Sequence, residues 1–403
     1  MRVRRRLWAW PAMFCVCLLS GCGASEVDHY DQGVEAYEAA ETDEDLERAI
    51  TLFDKALEQD DEDVEALVAR GLAYDTLGRY DEAVADYEKA LEIEPDNTDA
   101  LLNLGAVWHE QADYRRAVDT FTQVLLLDDD DPEAYRNRAL AYVQLNQFEA
   151  AAVDLTWALI LTPYVDPVLY RERADVWKQL NNQAQYDLDI AVADATQEIA
   201  DNEDNATAYA TRGQSLLLLG EYSLAVADFS EAIRVDADKS AYFSARGSAQ
   251  SMLGQVEQAV EDYDTAIRLD EKNVAAYVGR GDARKNQGEY ARATADYRQA
   301  IQLDPKLASP QAGLAWILAT CPDAKLRNGE EARRLAQQAC ELSEWAIWSF
   351  VDVYAAACAE AGDFDEAQKQ ETRAIVMAAD LVDTRELKDR LKLYEQKKPY
   401  HRP

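Results

Sequence analysis

The sequence predicts an all-α protein: about ten helical hairpins stacked side by side and closed by one C-terminal helix. Three observations lead there. Alanines recur at positions 49, 83, 117 and 151, then at 191, 225, 259 and 293, and again at 332 and 367, mostly 34 residues apart. Within a period the apolar and small residues stand three and four apart, as in Leu67, Gly71 and Tyr74 or Ala83, Tyr87 and Ala90. That spacing lines one face of a helix. A glycine such as Gly78 separates two such helices, and a proline such as Pro95 ends the pair.

The chain opens on a different kind of sequence. Arg2, Arg4, Arg5 and Arg6 precede an apolar run from Leu7 to Leu19, shorter than a stable span needs. The run ends in Leu19-Ser20-Gly21-Cys22, which resembles the lipobox of bacterial lipoproteins. The resemblance implies a signal peptide over residues 1–21, removed before Cys22, and acyl chains such as palmitate on the Cys22 side and terminus. Residues 22–27 are then a short tether. Gly23, standing where Asp would retain a lipoprotein at the inner membrane, implies the outer membrane. An ordinary secretion signal and an uncleaved anchor are the alternatives. Loss of residues 1–21 removes four Arg and no acid, taking the formal charge from −36 to −40.

Residues 28–307 read as eight units. The first, 28–61, lacks a clean first helix and carries the acidic turn AETDED. Units 64–97, 98–131 and 132–165 are regular. The fifth, 166–205, is degenerate, with six extra residues expected around NNQAQYD. Units 206–239, 240–273 and 274–307 return to form. Residues 308–396 are expected to be a C-terminal module: a hairpin with a longer loop (308–345), a tenth hairpin (346–380) and a capping helix near 384–396. Leu387, Leu391 and Tyr394 give that helix one apolar side, as the end of an open stack requires. Trp345 and Trp348 fit either a core or an exposed docking patch. The tail 397–403 is basic and expected to be disordered.

The first helices carry a small residue, Gly and an aromatic; the second carry Ala, an aromatic, Ala and Pro. This pattern resembles the tetratricopeptide repeat (TPR), with Gly71, Gly105, Gly213, Gly247 and Gly281 keeping register. The resemblance implies a right-handed superhelix whose first helices line a groove. Asn103, His109, Arg136, Asn137, Arg171 and Lys178 fall at groove positions by that resemblance. The three cations there suit a carboxylate or an acidic peptide. The Lys–Asn carboxylate clamp of some TPR proteins has no counterpart, because its places hold Val68 with Leu72 and Leu102 with Ala106.

Six units carry Arg in the first helix and Asp in the second: Arg70 and Asp86, Arg138 and Asp154, Arg173 and Asp194, Arg212 and Asp228, Arg246 and Asp262, Arg280 and Asp296. The unit with Leu104 has Thr120, and the ninth has Leu314 and Leu335. Charge stands in both places or in neither. The reading is a structural Arg–Asp pair inside the helix stack.

Reactive groups are sparse. His29, His109 and His401 lie far apart along the chain, and no HExxH, phosphate loop or GxSxG is present. Cys321, Cys340 and Cys358 follow Cys22 in an odd set, either one bridge and one thiol or three buried thiols. The acidic stretches EQDDEDVE and DDDDPE lack the central Gly of a calcium loop and read as solvated turns. No metal, cofactor or enzymatic activity is expected. The charge of −36 disfavours nucleic acid. The expected function is a lipid-anchored TPR scaffold that binds protein or peptide partners in the bacterial cell envelope. The alternatives are an envelope carbohydrate-active enzyme and a cytoplasmic TPR adaptor with an uncleaved N-terminus.

Overall fold

The structure, a computed structural model, describes residues 28–402. The expected signal peptide, the expected lipid site Cys22 and the expected tether lie outside the described residues. Among the described residues there are 21 helices and no strand. They form two compact units, one ending at Gln147 and one beginning at Phe148.

The first unit holds three hairpins and one further helix. The hairpins are α1 (His29–Glu38) with α2 (Asp43–Gln59), α3 (Val64–Leu77) with α4 (Tyr80–Ile93), and α5 (Thr98–Glu110) with α6 (Tyr114–Leu127); α7 (Pro132–Gln144) follows. Each helix packs on the next, and α1, α3, α5 and α7 touch in sequence. The hairpins therefore stack with their first helices side by side, as in an α-solenoid.

Local chemistry sets the ends. Asp63, Asn97 and Asp131 cap helices by accepting from the backbone N–H of Ala66, Ala100 and Ala134 at 3.0, 2.9 and 3.1 Å. Helix α3 stops at Gly78, whose φ of 76° lies in the left-handed region. Close approach needs a second glycine. A Cβ on Gly71 would come within 2.7 Å of the Tyr87 ring, so α3 can lie against α4 only without one. Ala83, Tyr87, Val107, Ala117 and Phe121 pack into one buried cluster. Each buried large side chain contributes about 1.5–3 kcal/mol.

The second unit begins with α8 (Phe148–Leu161). Hairpins follow: α9 (Pro167–Gln179) with α10 (Gln183–Asp201), α11 (Ala206–Leu219) with α12 (Tyr222–Val235), and α13 (Ser240–Met252) with α14 (Val256–Leu269). Then come α15 (Val274–Asn286) with α16 (Tyr290–Leu303), α17 (Ala308–Thr320) with α18 (Gly329–Leu342), α19 (Trp348–Glu360) with α20 (Phe364–Ala378), and finally α21 (Arg385–Glu395). Helices α11, α13, α15, α17 and α19 touch in sequence, repeating the stacking of the first unit.

Two expectations are corrected here. The six extra residues of the fifth unit do not enlarge the turn around NNQAQYD. That turn is short, α10 starts at Gln183, and the surplus lengthens α10 to 19 residues. The tail is not disordered through residue 402. Arg402 donates its backbone N–H to the Thr320 carbonyl at 2.8 Å, His401 Nε2 meets Glu360 at 2.7 Å, and the Tyr400 ring lies 6.1 Å from that of Trp316. An aromatic ring, an imidazole and a backbone N–H with partners on α17 and α19 offset the entropy of a free end.

The capping helix buries Leu387 and Tyr394. Trp345 and Trp348 pack against Cys340, Val351 and Leu387 as part of the core. Cys321, Cys340 and Cys358 are buried free thiols. Burial pushes the Cys340 and Cys358 thiols up to about 12, leaving little of the reactive thiolate.

Candidate partner-binding face and its internal charge ladder

The paired charges form a ladder with a constant step. Arg70 Nη2 donates to Asp86 Oδ1 at 2.6 Å and Nε to Oδ2 at 2.8 Å, a two-pronged contact. Arg212 and Asp228 repeat it at 2.7 Å, Arg246 and Asp262 at 2.7 Å, and Arg280 and Asp296 at 2.6 Å. Every partner is 16 residues downstream.

The fifth unit keeps that step and overturns the pairing of Arg173 with Asp194. Arg173 Nη2 donates instead to Asp189 Oδ1 at 2.7 Å, both groups being buried. The surplus residues enter after Asp189, so the first two turns of α10 hold the register of the other second helices. Asp194 lies out on the surface, 3.2 Å from Arg171. Arg138 stands on α7 of the first unit and Asp154, buried, on α8 of the second.

Each arginine also reaches backward, which the sequence reading missed. Arg70 Nη1 donates to Asp54 at 2.7 Å, Arg138 Nη1 to Thr122 at 3.2 Å, Arg173 Nη1 to Thr156 at 3.3 Å and Arg212 Nη1 to Thr196 at 3.2 Å. Arg246 reaches Ser230 at 3.1 Å and Arg280 reaches Asp264 at 2.6 Å. One guanidinium thus joins its own hairpin to the second helix of the preceding hairpin. The available signal was a short polar residue 16 or 17 positions before each Arg. An aromatic three residues earlier lies by most of the guanidinium groups, 5.5 Å from Arg173 at Tyr170 and 5.5 Å from Arg280 at Tyr277. Such stacking contributes about 0.5–1 kcal/mol.

Electrostatics follow the burial. Hydrogen bonding to Asp86 is the main cause holding the Arg70 guanidinium above its ordinary value. At Arg173 burial alone would lower it, but Asp189 more than offsets that and the net direction is upward. Burial pushes the Asp189 carboxyl up against the pull of Arg173.

The C-terminal module carries a differently composed charge site. Arg390 on α21 donates to Asp352 Oδ1 at 2.8 Å, and its Nε lies 3.5 Å from Glu371 Oε1. All three are buried, Glu371 completely. Burial and the neighbouring Asp352 push the Glu371 carboxyl up to about 9. The guanidinium lies 5.6 Å from each of the Trp316 and Tyr400 rings.

The groove candidates divide between the units. In the first, Asn103 and His109 are on α5 and Arg136 and Asn137 on α7. The His109 ring meets Tyr114 edge-on at 5.2 Å between centroids. All four are partly buried. In the second, Arg171 and Lys178 are on α9 and exposed, with exposed Asp175 between them. The positions 171, 175 and 178 are four and three apart, so one helix face carries all three. Asp282 on α15 is engaged, accepting from Lys285 at 2.8 Å and from the Tyr297 hydroxyl at 2.7 Å. Among the described residues no group of three or more His, Cys, Asp or Glu is placed to hold a metal ion. No helix among them is long and apolar enough to cross a membrane.

Family models described as Tetratricopeptide repeat match residues 64–97, 104–182, 206–239 and 274–307, and one described as TPR repeat matches 252–288. The chain belongs to the tetratricopeptide repeat family. The TPR matches fall on regular hairpins in both units and extend across the start of the fifth repeat. Among solved structures, this TPR chain is similar to yeast Tom70, with 17% identity over 92% of this chain and 94% of that one and a TM-score of 0.40. It is also similar to the TPR2AB domain of yeast Sti1, solved in a pHSP90 complex, with 20% identity over 70% and 98% and a TM-score of 0.27. The TPR domain of Arabidopsis OM64 shares 30% identity over 27% of this chain and 89% of that domain, with a TM-score of 0.27. No curated protein matches the chain.

Proposed function

We propose that this TPR protein is a scaffold held to the bacterial cell envelope by lipid on Cys22, which presents its first-helix faces to protein or peptide partners. The face formed by Arg171, Asp175 and Lys178 is the part suited to an acidic segment or a terminal carboxylate. One observation carries this: the ladder arginines are committed inside the stack, whereas Arg171 and Lys178 stand exposed on α9. The exposed contact of Arg171 with Asp194 at 3.2 Å contributes only about 0–1 kcal/mol. A ligand carboxylate can replace Asp194 there at small cost. Several acyl chains on one terminus hold firmly, at about 0.8 kcal/mol per buried methylene. Such an anchor raises the local concentration of partners at the membrane.

Two measurements test the two parts. The mass of the mature N-terminus is expected to be that of acylated Cys22; a retained Met1 removes the anchor. Titration with acidic peptides is expected to show affinity that falls at least tenfold in the Arg171→Glu, Lys178→Glu variant and weakens with salt. Unchanged affinity in that variant removes the acidic-ligand reading.

A further inference from the structure

The tail after α21 is seated in the way a bound peptide is. Lys397, at a φ of 58°, turns the chain back, and Lys398 donates its backbone N–H to the Leu393 carbonyl at 2.9 Å. Residues 398–402 then run without helix to the ends of two first helices. Arg402 donates its backbone N–H to the Thr320 carbonyl at 2.8 Å. His401 Nε2 meets Glu360 Oε2 at 2.7 Å, while Arg327 holds the other carboxylate oxygen at 3.0 Å. The Tyr400 ring packs on the cluster of Ala355, Cys358 and Ala359, and it shares the Arg390 guanidinium with Trp316. Thr320 and Glu360 are the thirteenth residues of α17 and α19. The thirteenth residues of α11, α13 and α15 are Leu218, Met252 and Asn286. Leu218 is 62% exposed, Met252 is 59% exposed, and Asn286 is exposed as well. The tail therefore lies on a row of places that the preceding hairpins leave open.

None of these contacts depends on the tail's covalent link to α21. A main-chain bond to a helix-end carbonyl accepts any sequence. An aromatic ring beside Trp316 and Arg390 and an imidazole on Glu360 select one. The fastening is also light. Lys397, Lys398 and His401 are exposed, and Tyr400 is only partly buried. Ordering the backbone of this stretch costs entropy that so few contacts barely offset. The seated and released states thus lie close in free energy, and a competing segment can shift the balance between them. We infer that residues 399–402 are an exchangeable strap, an intramolecular ligand on the ends of α17 and α19. It gives way to an extended segment of another protein that carries the same pair, an aromatic followed by an imidazole. This rests on the reading that first-helix faces receive protein segments, but not on Arg171 and Lys178, whose face suits the opposite charge.

The test uses the full chain and a fluorescent peptide of sequence QKKPYHR, copied from residues 396–402. Tyr400→Ala with His401→Ala removes the ring and the imidazole of the strap and opens the site. The peptide is expected to bind this variant about tenfold more tightly than the wild-type chain, where the strap competes. A control peptide with Ala in place of its Tyr and His keeps every Lys and Arg charge and is expected not to bind. Thermal melting followed by circular dichroism checks that the opened variant is folded. A second readout needs no variant. In the isotope-labelled wild-type chain, excess unlabelled peptide is expected to speed amide exchange of Arg402 by freeing its bond to Thr320. Three results each overturn the inference: equal affinity for the two chains, equal affinity of the two peptides, or an Arg402 amide that the peptide leaves unchanged. Loss of acidic-peptide binding at Arg171 and Lys178 with strap exchange intact removes only the reading of the α9 face.

Discussion

The repeat ladder and the C-terminal module both bury arginine against carboxylate, yet their charge counts differ. At Arg212 one guanidinium meets one carboxylate, Asp228, and a neutral hydroxyl, Thr196. At Arg390 one guanidinium meets two carboxylates, Asp352 and Glu371. The Arg212 rung is balanced with every group ionised, and at Arg70 and Arg280 the second carboxylates, Asp54 and Asp264, are about half exposed to solvent. The module balances only while one carboxyl keeps a proton. Ion-pair chemistry alone therefore does not set the response to pH; the ratio of buried acids to buried bases does.

The largest effect is expected where a balanced rung is broken. Asp189→Ala strips the buried Arg173 of its two-pronged partner, leaving Glu221 at 3.9 Å as the nearest carboxylate, and is expected to cost about 3–5 kcal/mol, read from denaturant unfolding. A loss below about 1 kcal/mol would put the rung outside the class of buried pairs.

The next effect separates the two regions by pH. An ordinary Glu titrates near 4.3, whereas Glu371 is pushed up to about 9. Between those values the unfolded chain has released a proton that the folded module keeps. Stability is thus full below about pH 4 as far as Glu371 is concerned, falls as pH rises through this window, and levels off above about 9. Hydrogen exchange of α20 and α21 is expected to accelerate from pH 5 to 9 beyond its intrinsic rate, and by more than that of α11–α14, where burial also pushes the Glu221 and Asp228 carboxyls up. Glu371→Gln is expected to abolish the excess and to stabilise the module at pH 8.5 by about 1–3 kcal/mol. A parallel pH response in wild type and variant would contradict the one-proton account.

A smaller effect tests the backward arm. Thr196→Val keeps the shape and removes the hydroxyl that accepts from Arg212, with an expected cost of about 1 kcal/mol in the same unfolding experiment. No change would show that Asp228 alone holds the arginine. The smallest effect is at Asp194, exposed beside Arg171. Asp194→Ala is expected to stay within about 0.5 kcal/mol, and its contrast with Asp189→Ala checks the register of α10 directly.

The period of 34, the helix faces and the capping helix were legible because they rest on local geometry. A 3.6-residue turn puts Ala83, Tyr87 and Ala90 on one side whatever lies beyond the hairpin. The pairing of first-helix Arg with second-helix Asp was legible for the same reason, since both belong to one hairpin. Arg173 was misassigned because a surplus of six residues leaves the period equally disturbed whether it widens a turn or lengthens a helix. The constant separation of 16 points to Asp189, and a count by alanines points past it.

The sequence by itself determined the stacked helical hairpins, since each amphipathic helix must cover its apolar stripe with its neighbour's. Only the tertiary structure decided what each arginine meets beyond its own hairpin. It brought Asp352 and Glu371 to Arg390 across 38 and 19 residues and tied the tail to α17 and α19. Helical periodicity records which face of a helix is buried, whereas the partner on that face is chosen by how whole helices lie against one another.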